Sequence, residues 1–268
     1  MSIEPQQVTP TFEWQPLRHQ PRRLSLAERD QFDRDGYVVV RGAVPVSDIA
    51  ELTAAIDTFE AETEAFLRAQ PNGELFIAKS EAITFTVHLV TRCIEARLFS
   101  THPVLLDLAH DLIGGDVRLY WDQAVYKKPE PDREFPWHQD NGYTFVEPQQ
   151  YLTCWVPLTS ATLHNGCPWL VPGMHQLGTL RHELTAVGLQ CLTDAPAAIA
   201  VELEPGDVIA FSSLAPHRTG ANRTQSMRKA YIVQYAPDGA EVVQADGTRV
   251  PAADPDRQYP VLVGGLPA

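Results

Sequence analysis

The sequence predicts a mainly β fold, a sandwich or barrel with flanking helices gathered in its first hundred residues. Three observations carry this expectation. From Asp116 onward, short β-rich runs alternate with Pro, Gly and Asp turns, as they do where many short strands pack face to face. Before Asp116, apolar residues recur at helical spacing instead. Finally, 22 prolines in 268 residues exclude a helical bundle, because each proline inside a helix costs about 3 kcal/mol.

Residues 1–24 mix Pro, Gln and Arg without a period and are expected to form a tail, either mobile or laid over the body. A single domain is expected over 25–268, with a helical part 25–115, a strand-rich core 116–236, and a C-terminal hairpin and tail 237–268. Ser25 and Glu28 fit a capping box, opening a short helix that Gly36 closes. Tyr37 to Val40 reads as a strand. Ser47 is expected to cap a second helix from about Asp48, with Ile49, Leu52, Ile56, Phe59 and Phe66 on one apolar face. Residues 74–100 fit strand or helix equally. His102 to Ile113 reads as a third helix, ended by Gly114-Gly115. Strands are then expected at Val117 to Tyr126, Tyr151 to Val156, Trp169 to Val171, Ile199 to Leu203, Val208 to Phe211 and Lys229 to Tyr235. Asp246-Gly247, between Val242-Val243 and Val250, signals a two-residue hairpin.

Lys and Arg number 21 against 34 Asp and Glu, a net charge of −13. A nucleic-acid binder needs a basic face, so that partner class is excluded. No apolar run approaches the roughly 20 residues of a membrane span, and no basic-then-apolar leader opens the chain. A soluble cytoplasmic protein without a membrane partner is expected. The four cysteines, Cys93, Cys154, Cys167 and Cys191, lack redox or zinc spacing and read as reduced and buried.

Chemistry is concentrated in Trp137-His138-Gln139-Asp140. On an extended strand, residues two apart share a face, so His138 and Asp140 could offer a nitrogen and a carboxylate oxygen to one ion. Spacing alone is weak, since composition predicts about 0.6 such triplets by chance. A second run corroborates it: Pro205 to Phe211 gives a turn and strand, and Pro216-His217 follows. His217 lies 217 − 138 = 79 residues on, far enough for the chain to fold back beside the first two ligands. Two His and one carboxylate on one face leave coordination positions open, as in non-haem Fe(II) oxygenases. Arg228, 11 residues further (228 − 217), could hold the remote carboxylate of a keto acid by two parallel hydrogen bonds, with the Thr219 hydroxyl adding a third.

The run Leu26 to Val44, the Trp137-His138-Gln139-Asp140 core, the Val171-Pro172-Gly173-Met174-His175 turn, and His217 through Asn222 to Arg228 resemble the phytanoyl-CoA dioxygenase family over roughly residues 25–236. Met174 departs from the Ser that many members carry. The resemblance implies a double-stranded β-helix, the cupin-like jelly roll. It implies Fe(II), O2 and 2-oxoglutarate, with ascorbate stimulating turnover. It implies iron ligands His138, Asp140 and His217, and 2-oxoglutarate held by Arg228, Thr219, Gln123, Phe135 and Trp155. Tyr143, Asn141 and Trp121 are candidate substrate contacts. His175 is expected to order its own turn, and His164 could reach the pocket. The implied reaction is hydroxylation of an unactivated C–H bond of a small molecule, with release of succinate and CO2. The presence of Asp140 favours this over halogenation. A cupin-like isomerase, epimerase or hydrolase with another metal, or a non-catalytic ligand-binding jelly roll, are the alternatives.

Overall fold

The computed structural model describes residues 8, 9 and 11–268. Its core is two facing antiparallel sheets, the jelly roll. The larger runs through Tyr37–Val40, Val208–Ser212, Leu152–Pro157, Arg228–Pro237, Val117–Lys127 and Ile83–Val87, and ends in the short strands Ala78–Lys79 and Glu74–Leu75. The smaller holds Ile199–Ala200, Pro168–Leu170, His217–Thr219 and Phe135–His138 in that order. The larger sheet therefore recruits four strands from before residue 116.

Alternation at every second residue gives each long strand two apolar faces. Val125, Trp155, Ile209, Phe211 and Ile232 pack between the sheets with Leu170 and Cys167. Their neighbours Ala124, Cys154, Val156, Ala210, Tyr231 and Val233 face outward, where Ile49, Leu52, Ile56, Leu105 and Leu108 cover them. These covering residues belong to helices α2 (Val46–Arg68) and α4 (Pro103–Ile113). All four cysteines are free and buried.

The first helix, α1 (Leu26–Asp35), has both bonds of the capping box, and Gly36 ends it at φ 82°, a left-handed conformation that glycine adopts without penalty. The structure corrects α2 twice. It begins at Val46 after Pro45, and Ser47 is not its cap; the Ser47 hydroxyl instead donates to Asp48. Its buried stripe continues from Ile56 through Glu60, Glu64 and Leu67, which leaves Phe66 54% exposed. Glu60 and Glu64 are accommodated there because Thr84 donates to the first, and Arg68, Ser80 and Lys128 donate to or pair with the second. Residues 74–100 use both alternatives: the strands above, then helix α3 (Ile94–Phe99).

Other strands differ from expectation mainly at their ends. Ile199–Ala200 is cut short, and Leu203 makes an isolated bridge to Ala161. The C-terminal hairpin pairs Glu241–Val243 with Arg249–Pro251, so its connection is residues 244–248 and not two residues. The N-terminal segment lies on the body: the Trp14 indole donates to Asp33 at 3.0 Å, and its ring meets His175 edge-on at 4.5 Å. The part of the expected tail at residues 1–7 and 10 lies outside the described residues. No helix among the described residues is long and apolar enough to cross a membrane.

Candidate active site

The smaller sheet puts His138 directly opposite His217 in antiparallel register. Their rings are 4.1 Å apart. Asp140 follows at the start of a single helical turn, Asp140–Tyr143, with Oδ1 3.7 Å from His217 Nε2. Candidate donor atoms of the three residues lie within 4.8 Å of one another.

Hydrogen bonds prepare these donors. Nδ1 of His138 lies 2.9 Å from the Pro136 carbonyl, and Nδ1 of His217 lies 3.0 Å from that of Ala215. A carbonyl only accepts, so each Nδ1 carries the proton and each Nε2 keeps its lone pair. Burial, followed by the neighbouring His217, pushes the His138 pKa well below that of a free imidazole, which keeps it neutral. The Thr153 hydroxyl donates to Asp140 Oδ2 at 2.5 Å and accepts from Gln234 Nε2 at 3.2 Å. That fixes one carboxylate oxygen and leaves the other for a cation. Gln139, fully buried, ties this loop down: its amide nitrogen donates to the carbonyls of Gly178 and Leu214, and its oxygen accepts from Leu180 N. Two imidazole nitrogens and one carboxylate oxygen suit a first-row divalent metal.

Deeper between the sheets is a buried positive charge without an acid. Arg228 is 0% exposed. Nη1 donates to the Val125 carbonyl at 3.4 Å, while Nε and Nη2 have no hydrogen-bond partner. Its guanidinium carbon lies 5.4 Å from the centre of the Trp155 ring. Burial pulls its pKa down to about 10. Buried cations are paired as a rule, and a carboxylate placed here would supply the missing partner.

Lys127 sits opposite Arg228 in register and is 1% exposed. Its ammonium donates to the carbonyls of Thr219, at 3.4 Å, and Gly220. Burial, then repulsion from Arg228, lowers its pKa to about 7. Unfolded, this lysine holds its proton up to about pH 10.4; folded, it releases it near 7. Between those values the unfolded chain binds more protons, so this group's penalty on folding is complete below pH 7 and fades as pH rises. Lys127→Met is therefore expected to gain most on the wild type below pH 7 in chemical denaturation, with the difference shrinking toward pH 10. A difference that does not change with pH would show that Lys127 keeps its unfolded pKa in the folded protein.

The remaining candidates divide. The Phe135 ring meets His138 at 4.8 Å. Tyr143 meets His138 at 5.4 Å and stacks on Phe135, and its hydroxyl accepts from Leu189 N at 3.1 Å. Gly188 makes room for that hydroxyl, because a Cβ there would stand 2.6 Å from it. Gln123 accepts from the Trp121 indole at 3.2 Å, and Trp121 packs on His88 at 4.2 Å, forming one wall. Thr219 lies on the His217 strand, opposite Phe135. Asn141 is 1% exposed and its amide is engaged within the protein: the nitrogen donates to Thr179 and the oxygen accepts from Val146 N. His175 is fully buried and its Nε2 lies 3.2 Å from the Asp33 carbonyl, which orders the turn. His164 is exposed.

Sequence reasoning missed Thr153, Gln234 and Lys127. The period-two signal could have found them: Thr153 shares a strand face with Trp155, Lys127 with Gln123, and Gln234 with Arg228.

A family model described as phytanoyl-CoA dioxygenase (PhyH) matches residues 32–230. A probable phytanoyl-CoA dioxygenase of Caenorhabditis elegans is 29% identical over 252 residues, covering 84% of this chain and 80% of that protein. The peroxisomal phytanoyl-CoA dioxygenase of Homo sapiens is 24% identical over 251 residues, covering 84% and 72%. Among solved structures, a non-heme alpha-ketoglutarate-dependent carbocyclase from nogalamycin biosynthesis superposes with a TM-score of 0.68 at 21% identity, over 84% of this chain and 89% of the other.

Proposed function

Because the chain belongs to the phytanoyl-CoA dioxygenase family, we propose that it is an Fe(II)- and 2-oxoglutarate-dependent dioxygenase that hydroxylates an unactivated C–H bond of a small molecule, releasing succinate and CO2. One observation carries this reading beyond the family: the buried Arg228 guanidinium with two unpartnered nitrogens, in the same barrel as the His138, Asp140 and His217 donors. A metal-dependent isomerase or hydrolase has no use for a second, remote anion site. An oxygenase that consumes a keto dicarboxylate does.

In this reading His138 Nε2, His217 Nε2 and Asp140 Oδ1 hold the iron. Arg228 receives the remote carboxylate of 2-oxoglutarate with the Thr219 hydroxyl, and Trp155 walls the space beneath it. When bound, iron and 2-oxoglutarate supply O2 activation and the power to break a C–H bond. The chain's own residues do the rest. Thr153 and Gln234 hold the Asp140 carboxylate in one orientation. Phe135 and Tyr143 pack beside His138 and keep that side apolar, which excludes water from the reacting carbon. Gln123 adds to the 2-oxoglutarate site, and Trp121 and Tyr143 are the surfaces that the substrate meets. Residence in the cytoplasm is part of the same proposal.

The test is turnover of 2-oxoglutarate by the full chain with Fe(II), O2 and ascorbate, read as succinate by mass spectrometry. Slow uncoupled succinate formation is expected alone, rising when a pool of metabolites contains the substrate. No succinate under any such condition, from protein shown to hold one Fe(II), removes the assignment.

A further inference from the structure

A second cluster of metal-type donors lies away from the His138 centre, where the N-terminal segment crosses α4. His110 and Asp111 stand in the last turn of α4, and His19 comes from the segment over it; candidate donor atoms of all three lie within 4.8 Å of one another. His110 Nδ1 and Asp111 Oδ1 are 2.9 Å apart. Two donors take about that spacing on one cation when each stands about 2.0–2.1 Å from it near a right angle. The His19 ring meets the His110 ring edge-on, 4.5 Å between centres.

Two further observations point to a ligand. His19 Nε2 is shut off from solvent and has no hydrogen-bond partner, an unfavourable state for a ring nitrogen that a cation would relieve. Asp111 is 0% exposed. The backbone amides of Arg22, Arg23 and Leu24 donate to its carboxylate and hold it in place. Oδ2 takes two of those amides and Oδ1 takes one, with His110 Nδ1 2.9 Å from Oδ1, so a cation held between that nitrogen and oxygen would replace the proton they share.

We propose that His19, His110 and Asp111 form a second metal site, for a borderline divalent cation of the Zn2+ kind, that fastens the N-terminal segment to α4. Two imidazoles and a carboxylate fit that class better than the oxygen-seeking Ca2+ or Mg2+. Three protein ligands leave a position for water. Arg29, which donates to the His19 carbonyl, brings a positive charge near, so the site is expected to bind less tightly than a four-ligand structural zinc. Its consequence is mechanical: a cross-link between residue 19 and residues 110–111 that holds down the segment carrying Trp14.

The experiment equilibrates metal-stripped full-length protein with Zn2+, removes free metal by gel filtration and counts bound zinc by mass spectrometry. About two zinc ions per chain are expected in the wild type, and about one in either His19→Ala or Asp140→Ala. The double variant is expected to hold none. His110→Asn is a second probe should His19→Ala disturb the segment by itself, and it is expected to match it. In Asp140→Ala, zinc is expected to slow hydrogen exchange of residues 11–24, an effect absent once His19 is also replaced. One zinc in the wild type, two retained in both His19→Ala and His110→Asn, or equal loss on replacing the exposed His164 would each overturn the proposal.

Discussion

Arg228→Met is expected to stabilise the ligand-free protein while raising the 2-oxoglutarate concentration for half-maximal turnover about a hundredfold. The two effects share one cause. The guanidinium is fully buried, with Nε and Nη2 unpartnered and a 3.4 Å contact from Nη1 to a carbonyl. Folding therefore strips its hydration and returns little, which the downward displacement of its pKa also reflects. Methionine fills similar space beside Trp155 without that charge. The anion's loss is as direct: two charge-assisted hydrogen bonds together contribute about 3 kcal/mol, or roughly a hundredfold in binding. Thermal melts with and without 2-oxoglutarate check both halves. The wild type is expected to melt higher with the keto acid present, and the variant to melt at one temperature in either buffer. A variant that melts lower than the wild type and binds 2-oxoglutarate unchanged would make Arg228 a packing residue of the Trp155 layer and nothing more.

Asp140→Ala is expected to cut succinate formation at least tenfold and to weaken metal binding by a similar factor, with the fold intact. The side chain stands at the edge of the barrel on a one-turn helix, only partly buried, and its removal opens no apolar cavity. It does remove the single negative charge of the donor set, leaving two neutral imidazoles to hold a divalent ion. Thr153, which orients the carboxylate, loses its acceptor at the same time. Circular dichroism should overlay the wild type, while calorimetric titration with Fe(II) under anaerobic conditions shows the lost affinity. Unchanged turnover here and in Arg228→Met together would sink the oxygenase reading.

What sequence made legible was whatever depends on spacing along one strand or on a strong local signal. The capping box at Ser25, the long strands that close around Trp155 and Ile232, and the clustering of His138, Asp140 and His217 are of this kind. His217 was accessible because Pro216 and Arg228 bracket it. What escaped depends on partners far along the chain. The α2 start is set by Pro45 and not by Ser47, although Ser is the stronger cap in isolation. Strand Ile83–Val87 is helical or extended by composition alone, and it is fixed by pairing with Val117–Lys127. Asn141 follows the metal loop in sequence, yet both ends of its amide are claimed by Thr179 and Val146. Thr153 gains its role only when the Leu152–Pro157 strand comes to lie under Asp140, 13 residues before it.

The pairing of Tyr37–Val40 with Val208–Phe211 also sets a timetable for synthesis. An N-terminal strand of Tyr-Val-Val-Val emerges first and waits 208 − 40 = 168 residues for its partner. At about 5–20 residues per second that is on the order of ten to thirty seconds of translation. During that interval the nascent chain shows an unpaired apolar edge, and the closing contact is among the longest-range in the molecule, which makes barrel closure a late event. A dependence of soluble yield on chaperones that cover this edge is the expected consequence of the strand order, and slower translation lengthens the wait.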